Sequence, residues 1–293
     1  MTNFNDYKEI LTADVVTIHN LLKHFKKNDL DYDQHGNIFV NFKKETKKLP
    51  ILVAHTDNVL GNEERKPVFT LDGKSIFCAN NVGIGFDDKA GIIAIIELWK
   101  ELQGQFRIIF TADEESGGWG AEAIEPERYN QAQYIIELDR KGANDLIQNS
   151  GFTRLCSDEF AKKWKELGFK EDMGTFTDLN KFKPKAKNVE MCNLSIGYYN
   201  PHTKDEYLNI KDFEKTLERV KRFITENKDV VFEDTTKDDD KQDYYNYREY
   251  PQRTDGMVGL CDCCDKRGIV EWDEDAGLYL CEECEEWYKG QTR

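Results

Sequence analysis

The sequence has little of several features that mark other classes of protein. Only 6 prolines and 20 glycines occur among its 293 residues, too few for a low-complexity or collagen-like chain. No run comes near the roughly 18 apolar residues that a membrane span requires, and the first residues do not join a basic region to an apolar stretch. We therefore expect a soluble protein of the cytoplasm, without a membrane partner.

Positive charge is also scarce. The chain carries 41 basic and 56 acidic side chains, a formal net charge of −15. Such a field repels nucleic acid and anionic membranes, so a nucleic-acid partner is not expected. With 39% apolar and 12% aromatic residues, the length fits one large globular domain and a small appendage.

Cysteine is sparse until the end of the chain, where five of the eight are crowded. Two Cys-x2-Cys pairs separated by 16 residues have the spacing of a four-thiolate structural zinc site. The predicted ligands of this one structural Zn²⁺ are Cys261, Cys264, Cys281 and Cys284, while Cys263 either replaces a neighbour or stays a free thiol. We therefore expect a zinc-ribbon-like module at residues 258–293.

The charge of this module indicates what it binds. Residues 259–293 contain ten acidic and four basic side chains, which opposes contact with nucleic acid. We expect a protein partner or docking on the same chain, with the equal alternative that zinc only stabilises a tail too small to fold alone. The acidic, tyrosine-rich residues 229–257 have no apolar periodicity and are predicted to be a linker, so the main domain is 1–228.

Hydrophobic periodicity in the main domain predicts an α/β fold. Five short apolar runs have the composition of buried strands, at residues 37–42, 49–54, 106–112, 133–138 and 191–197. Helical spacing predicts helices at 15–25, 90–102, 158–167 and 212–224. The expected N-cap residues are Asp14 for the first helix, Ser157 or Asp158 for the third and Asp212 for the fourth. The helix at 90–102 is apolar nearly all round, so it should be buried.

Side chains that bind metals follow the predicted strands or precede the buried helix. They are His55, Asp57, Asp87, Asp88, Asp113, Glu114, Glu115, Asp139 and His202. Singly, each has an ordinary explanation, because surface loops and helix N-termini also carry such residues. Together they would meet at the carboxyl edge of one sheet, where adjacent buried carboxylates need a cation. The sequence therefore predicts a metal site at this edge.

In type and order these residues resemble the zinc exopeptidases of the aminopeptidase fold, which include bacterial leucyl aminopeptidases, peptidase T and glutamate carboxypeptidases. The matching motifs are His55 with Asp57, residues 85–91, residues 113–117, Asp139 and His202, and the resemblance covers roughly residues 10–225. It implies a three-layer α/β fold with a mixed central sheet and hydrolysis of peptide bonds in small peptides. Two catalytic Zn²⁺ ions are expected, with Co²⁺ or Mn²⁺ as alternatives.

The resemblance also implies a metal-binding role for five residues. His55 and Asp139 would hold one metal ion, and Glu115 and His202 would hold the other. Asp87 would bridge the two.

Two further residues would act beside the metal ions. Asp57 would orient His55, as metal-bound histidines generally require. Glu114 would be the general base that takes a proton from a water molecule between the metal ions. The resemblance also implies a cis peptide bond between Asp87 and Asp88.

The substrate is less clearly indicated. Only 62 residues separate Asp139 from His202, too few for the lid domain that some relatives insert there, so we expect an open site. Aspartate as the fourth ligand is more typical of aminopeptidases and di- or tripeptidases within this group. Asp178 lies in a segment that resembles the pocket lining, and it would pair with a substrate amine or cap the following turn.

Two other functions stay open. A deacylase or carboxypeptidase would use the same metal pair and would need a basic residue for a substrate carboxylate, for which Arg140 is the candidate. A non-catalytic, metal-stabilised protein would recruit partners through the zinc ribbon. Loss of Glu114 or of a ligand would support that function, and none of them is missing.

Overall fold

The main body of the protein is built on one mixed sheet. The computed structural model describes residues 2–42, 48–60 and 63–236, and beyond these the backbone of three C-terminal strands. The strands are β1 Leu30–Tyr32, β2 Ile38–Val40, β3 Ile51–His55, β4 Pro67–Phe69, β5 Ser75–Cys78, β6 Arg107–Thr111, β7 Ile135–Arg140, β8 Asp145–Ser150, β9 Thr153–Arg154, β10 Lys170–Gly174, β11 Met191–Ser195, β12 Tyr198–Tyr199, β13 Tyr207–Asn209, β14 Met257–Leu260, β15 Arg267–Asp273 and β16 Leu278–Cys281. The α-helices are α1 Lys8–Thr12, α2 Ile18–Leu21, α3 Phe86–Leu102, α4 Trp119–Ala123, α5 Asp158–Glu166, α6 Leu179–Phe182 and α7 Ile210–Glu226.

The central sheet has nine strands in the order β1-β2-β6-β3-β7-β11-β8-β10, with β9 paired to β8. Strand β3 runs parallel to β6 and β7, and β11 runs parallel to β7. The pairs β2 with β6 and β8 with β11 are antiparallel, which confirms the predicted mixed sheet. Because β6, β3, β7 and β11 are parallel neighbours, their carboxyl ends form one continuous edge.

Alternate residues of the buried strands fill two cores, one on each face of the sheet. Leu52 and Ala54 of β3 join the core that includes α3 and α7, whereas Ile51 and Val53 join the core that includes α4 and α6. The sheet is thus the middle of three layers, as predicted. Strands buried on both faces need apolar residues at every position, which is why they stand out as short apolar runs.

The predicted helix at residues 15–25 is wrong in its extent. Only Ile18–Leu21 is helical, and Thr17 opens it through a capping box with Asn20. Asp14, the predicted N-cap, instead pairs with Arg65. Leu21 and Phe25 are buried, whereas Val15 and Leu22 are exposed, so the apolar spacing reflects burial only in part and does not mark a continuous helix. The preceding helix α1 was not predicted.

The other predicted helices are present. Helix α3 is buried as expected, and Ser157 caps α5 by accepting from the Phe160 N–H. Helix α7 begins at Ile210 and not at Asp212, because the Asn209 side chain accepts from the Asp212 N–H and caps the helix earlier. Residues 140–201 contain no inserted domain. Among the described residues, no helix is long and apolar enough to cross a membrane.

The chain after α7 first packs on the main body. Gln133 donates to the Asn227 carbonyl oxygen at 2.8 Å, Phe232 lies 4.9 Å from the Phe160 ring centre, and Asp234 forms a buried ion pair with Lys183. Phe232 and Asp234, at the start of the predicted linker, therefore contact the main body.

The C-terminal strands β14, β15 and β16 form a three-stranded antiparallel sheet. Cys281 is the last residue of β16. The other three predicted zinc ligands, Cys261, Cys264 and Cys284, lie outside the described residues, as does Cys263.

Candidate active site

The predicted ligands meet at the carboxyl edge of the parallel strands. His55 is the last residue of β3, and its ring is buried. Its Nε2 lies 3.0 Å from Asp87 Oδ1, in the first turn of α3, and 3.5 Å from Asp139 Oδ1, on the neighbouring strand β7. One imidazole and two carboxylates thus face a common point.

A second group faces the other oxygen of Asp87. His202 lies in the loop between β12 and β13, with a φ of 61°. Its Nε2 is 3.2 Å from Asp87 Oδ2 and 3.0 Å from Glu115 Oε1. Asp87 therefore stands between two pairs of side chains, His55 with Asp139 and His202 with Glu115, in the arrangement that a carboxylate bridging two cations needs.

Asp88 has a different position from its neighbour. The Asp87–Asp88 peptide bond is cis, as the resemblance implies. The Asp88 carboxylate accepts the N–H groups of His55 at 3.2 Å and Gly91 at 2.9 Å, although it is also close enough to His55 and Asp139 to share a metal ion with them. A Cβ on Gly91 would lie 2.2 Å from the Leu138 carbonyl oxygen, so the approach of α3 to β7 requires glycine here.

Asp57 connects β3 to the turn that follows β6. Its Oδ1 accepts the Glu114 N–H and its Oδ2 accepts the Glu115 N–H, both at 3.2 Å. His55 Nδ1 is 3.1 Å from the Asp57 carbonyl oxygen and 3.5 Å from Oδ1. The backbone carbonyl of Asp57 is thus nearer to the imidazole than the carboxylate is, and the carboxylate chiefly fixes the turn.

Burial perturbs the ionisation of these groups. Burial raises the pKa of Asp139 to about 8, and the negative charge of Asp87 adds to this effect. Burial also raises the pKa of Glu114 to about 9, while hydrogen bonds to Asp87 and Glu115 raise the pKa of His202 to about 10. So many carboxylates cannot ionise together in one buried place without a counter-charge. Two imidazoles with clustered carboxylates are also a donor set that Zn²⁺ takes, so the residues fit divalent cations.

No sequence pattern pointed to Glu206. Its buried carboxylate accepts the N–H groups of Ile84 at 3.0 Å, Gly85 at 2.6 Å and Asp87 at 3.3 Å. It thereby fixes the segment that carries Asp87. Its position four residues after His202 was the only available hint.

Asp139 also has unpredicted neighbours. The Tyr198 hydroxyl donates to the Asp139 carbonyl oxygen at 3.1 Å and lies 3.3 Å from its Oδ1. Asn193, on the adjacent strand β11, accepts the Asp139 N–H at 3.0 Å. These contacts hold the end of β7 in place.

Two further acids are fully buried beside the site. Glu137 lies two residues before Asp139 on β7 and so shares its face of the sheet, and Asp178 directly precedes α6. In the described part of the chain, none of the four carboxylate oxygens of Glu137 and Asp178 accepts a hydrogen bond. The Thr111 hydroxyl beside Asp178 donates to the Ala54 carbonyl oxygen instead, at 3.3 Å. Asp178 makes no capping hydrogen bond, so the capping alternative is wrong.

Arg140, the cation expected for a substrate carboxylate, is already paired. Its Nη2 lies 2.9 Å from Asp172 Oδ2, and its Nε lies 3.6 Å from Asp145 Oδ2. Its charge is therefore compensated within the protein.

The fold is that of the aminopeptidase-like zinc exopeptidases. The chain is similar to the aminopeptidase PepT of Bacillus cereus, with a TM-score of 0.61 and 16% identity, over 75% of this chain and 96% of that chain. It is similar to the TET1 peptidase of Pyrococcus horikoshii, with a TM-score of 0.59 and 16% identity, over 75% and 98% of the chains. A tripeptidase of Staphylococcus aureus gives a TM-score of 0.56 and 18% identity, over 75% and 96%. No protein-family profile and no curated protein sequence matches the chain.

Proposed function

We propose that the protein is a metal-dependent exopeptidase that hydrolyses small peptides, as an aminopeptidase or a di- or tripeptidase. The observation that carries this proposal is the position of Asp87 between two pairs of metal-binding side chains. Glu114 directly precedes Glu115, a member of the second pair. The named structures of similar fold are all peptidases, which supports it.

The residues divide into two metal sites. We assign one cation to His55 and Asp139 and the other to His202 and Glu115, with Asp87 shared between them. Zn²⁺ suits these donors, and Co²⁺ or Mn²⁺ are alternatives with the same ligand types. Two such ions would polarise the scissile carbonyl and lower the pKa of a water molecule toward about 7.

Glu114 is the proposed general base. Asp57 holds the N–H groups of Glu114 and Glu115 with its two oxygens, so the base and the adjacent ligand are fixed by one carboxylate. Glu114 would accept the proton of the attacking water and pass it to the leaving amine. This role places Asp57 in the catalytic machinery as the residue that orients both the base and His55.

Asp178 is the proposed partner of the free substrate amine. It is buried, its oxygens accept no hydrogen bond in the described part of the chain, and it lies near enough to Glu114 to influence that group's pKa. An ammonium group would supply the missing donors. Arg140, the cation considered for the carboxypeptidase alternative, is already paired with Asp172, so that residue gives this alternative no support.

The remaining assignments concern the whole chain. The non-catalytic alternative is disfavoured because Glu114 and the five proposed ligands are all in place. For residues 258–293 we keep the proposal of a structural zinc on Cys261, Cys264, Cys281 and Cys284, with a protein-docking role. The catalytic domain at 1–228, the linker at 229–257 and a cytoplasmic location stay predictions.

Hydrolysis of free-amino, N-acylated and carboxyl-bearing dipeptides by the zinc-loaded protein tests the proposal. We expect cleavage of free-amino peptides, and a loss of about 10²–10⁴-fold for Glu114→Gln, which removes the base and keeps both metal ions. The exposed residue Glu127 offers a matched control, Glu127→Gln, which should keep full activity.

Other outcomes select the alternatives. Cleavage of acylated or carboxyl-bearing substrates that lack a free amine, in preference to free-amino peptides, would replace the aminopeptidase with the deacylase or carboxypeptidase. Inactivity on every peptide, with two metal ions bound, would favour the binding protein.

A further inference from the structure

A lysine and two aromatic rings at the rim of the site have no role in the proposed reaction. The Nζ of Lys181, on α6, lies 5.9 Å from the centre of the Trp119 ring and 5.7 Å from that of Phe176. Trp119 is 65% exposed and Phe176 is 40% exposed. Within the described residues, the Lys181 ammonium contacts these rings and pairs with no carboxylate.

Gly118 joins this rim to the proposed general base. Its N–H donates to the Glu114 carbonyl oxygen at 3.0 Å. A Cβ on Gly118 would lie 2.9 Å from Phe176 Cζ, 3.1 Å from Asp178 Oδ1 and 3.3 Å from Lys181 Cε. The lysine side chain therefore borders the turn that begins at Glu114, on the same side as the proposed amine partner.

The ammonium and the two aromatic rings of this rim suit an anionic group that is attached to an apolar part of a ligand. Aromatic faces beside an ammonium attract it and displace water, which strengthens an ion pair formed there. Large exposed apolar side chains grouped around a charge are typical of a binding surface. Within the described part of the chain, Arg140 pairs with Asp172, whereas Lys181 forms no ion pair and acts on the Asp178 carboxylate only as a nearby charge.

We propose that Lys181, flanked by Trp119 and Phe176, binds a carboxylate of the peptide substrate. This inference rests on the proposed exopeptidase function and deepens it. The substrate amine at Asp178 and a substrate carboxylate at Lys181 would then be recognised three residues apart in the sequence. The carboxylate is that of the substrate's own C-terminus or that of an acidic side chain.

Paired substrates distinguish these two sources. Alanyl-alanine is compared with its C-terminal amide. The second pair is alanyl-aspartate and alanyl-asparagine, both with the C-terminus blocked as the amide, so that only the side-chain carboxylate differs. Lys181→Met keeps the length and removes the charge, and Lys181→Arg restores the charge. Lys165→Met, which breaks an exposed pair with Glu171, is the matched control.

We expect Lys181→Met to lower kcat/KM for carboxylate substrates by about 10-fold to 100-fold, mainly through KM, because one charge-assisted contact is lost. Rates on the uncharged partners should stay within about twofold. Lys181→Arg should recover most of the loss, and Lys165→Met should change nothing. A loss confined to alanyl-alanine identifies the C-terminal carboxylate, and a loss confined to the aspartic substrate identifies the side chain.

Equal effects of Lys181→Met on the charged and uncharged members of both pairs would overturn the inference while leaving the exopeptidase intact. No effect on any substrate would do the same. If the wild-type enzyme cuts no free-amino peptide, the proposed function fails, and the inference fails with it.

Discussion

Glu206 stands outside both proposed metal sites, yet it holds the segment that delivers Asp87. Its two oxygens accept three backbone N–H groups between Ile84 and Asp87. A glutamine at this position keeps the shape, but its amide nitrogen would face N–H groups that need an acceptor. We therefore expect Glu206→Gln to weaken metal binding by about 10-fold to 100-fold, the range typical of residues that orient ligands.

Zinc titration of the metal-free protein measures this effect directly. The control is Glu218→Gln, an exposed position on α7, which should bind zinc as the wild type does. Circular dichroism checks that both variants are folded. A folded Glu206→Gln protein with unchanged zinc affinity would show that Glu206 serves only the loop and not the ligand.

The residues differ in how well the sequence predicted them. The sequence singled out His55, Asp139 and His202 as candidates because each follows a predicted apolar strand and is a type that metals bind, and the structure brings all three to one edge of the sheet. Glu206 and Lys181 carry no such signal, because their roles depend on which backbone or ring lies opposite them in three dimensions. Candidate ligands can be recognised from residue type and local order, whereas the residues that position them cannot.

At the scale of elements, the same distinction holds for the helices. Helix α3 was predicted nearly to its ends because its residues are apolar on nearly all sides, a pattern that is visible in the sequence alone. Residues 15–25 have helical apolar spacing as well, but the capping box at Thr17 and the short turn after Leu21 divide the segment. Apolar spacing in this segment indicates only some of the buried side chains, since Val15 and Leu22 are exposed, and local capping and turns decide the backbone between them.

A buried ion pair is one of the contacts that hold the segment after α7 on the main body. Lys183 Nζ lies 2.7 Å from Asp234 Oδ2, and both side chains are nearly inaccessible to solvent. Removing one partner leaves a buried charge, so Asp234→Ala should lower the free energy of unfolding by about 3–5 kcal/mol. The double variant Lys183→Met with Asp234→Leu should recover much of this loss, because it leaves no unpaired charge.

Chemical denaturation of the chain measures these differences. Glu171→Ala, which breaks the exposed pair with Lys165, is the control and should cost less than about 1 kcal/mol. An Asp234→Ala cost as small as that of the control would mean that residues 229–236 are not part of the folded unit.

At the scale of the whole molecule, the buried acids control how many protons the folded protein binds. The pKa of Asp178 is raised to about 6 by burial, that of Asp139 to about 8 and that of Glu114 to about 9. The pKa of His202 is raised to about 10. Each of these groups holds its proton more tightly in the folded than in the unfolded chain. Burial lowers the pKa of Lys89 to about 7, which acts in the opposite direction, whereas burial also raises the pKa of Asp88 and of Glu137 and so adds to the first trend.

The sign of the pH dependence follows from these shifts. For the carboxyl groups, stability declines as the pH rises from the unfolded pKa of about 4 through the folded values. For His202, the contribution is complete below about pH 6.5 and is lost as the pH rises toward about 10. The metal-free protein should therefore be less stable at about pH 8.5 than at about pH 6.

Bound zinc should reverse this trend, because the cations replace the protons and bind only deprotonated ligands. We expect the rise in Tm caused by zinc to be larger at about pH 8.5 than at about pH 6. Thermal denaturation of chelated and zinc-loaded protein at both pH values measures this. Asp87→Asn, which lacks the shared carboxylate, should lose most of the zinc effect. A metal-free protein that is equally stable at both pH values, or a zinc effect that does not depend on pH, would mean that these acids are not gathered around a cation.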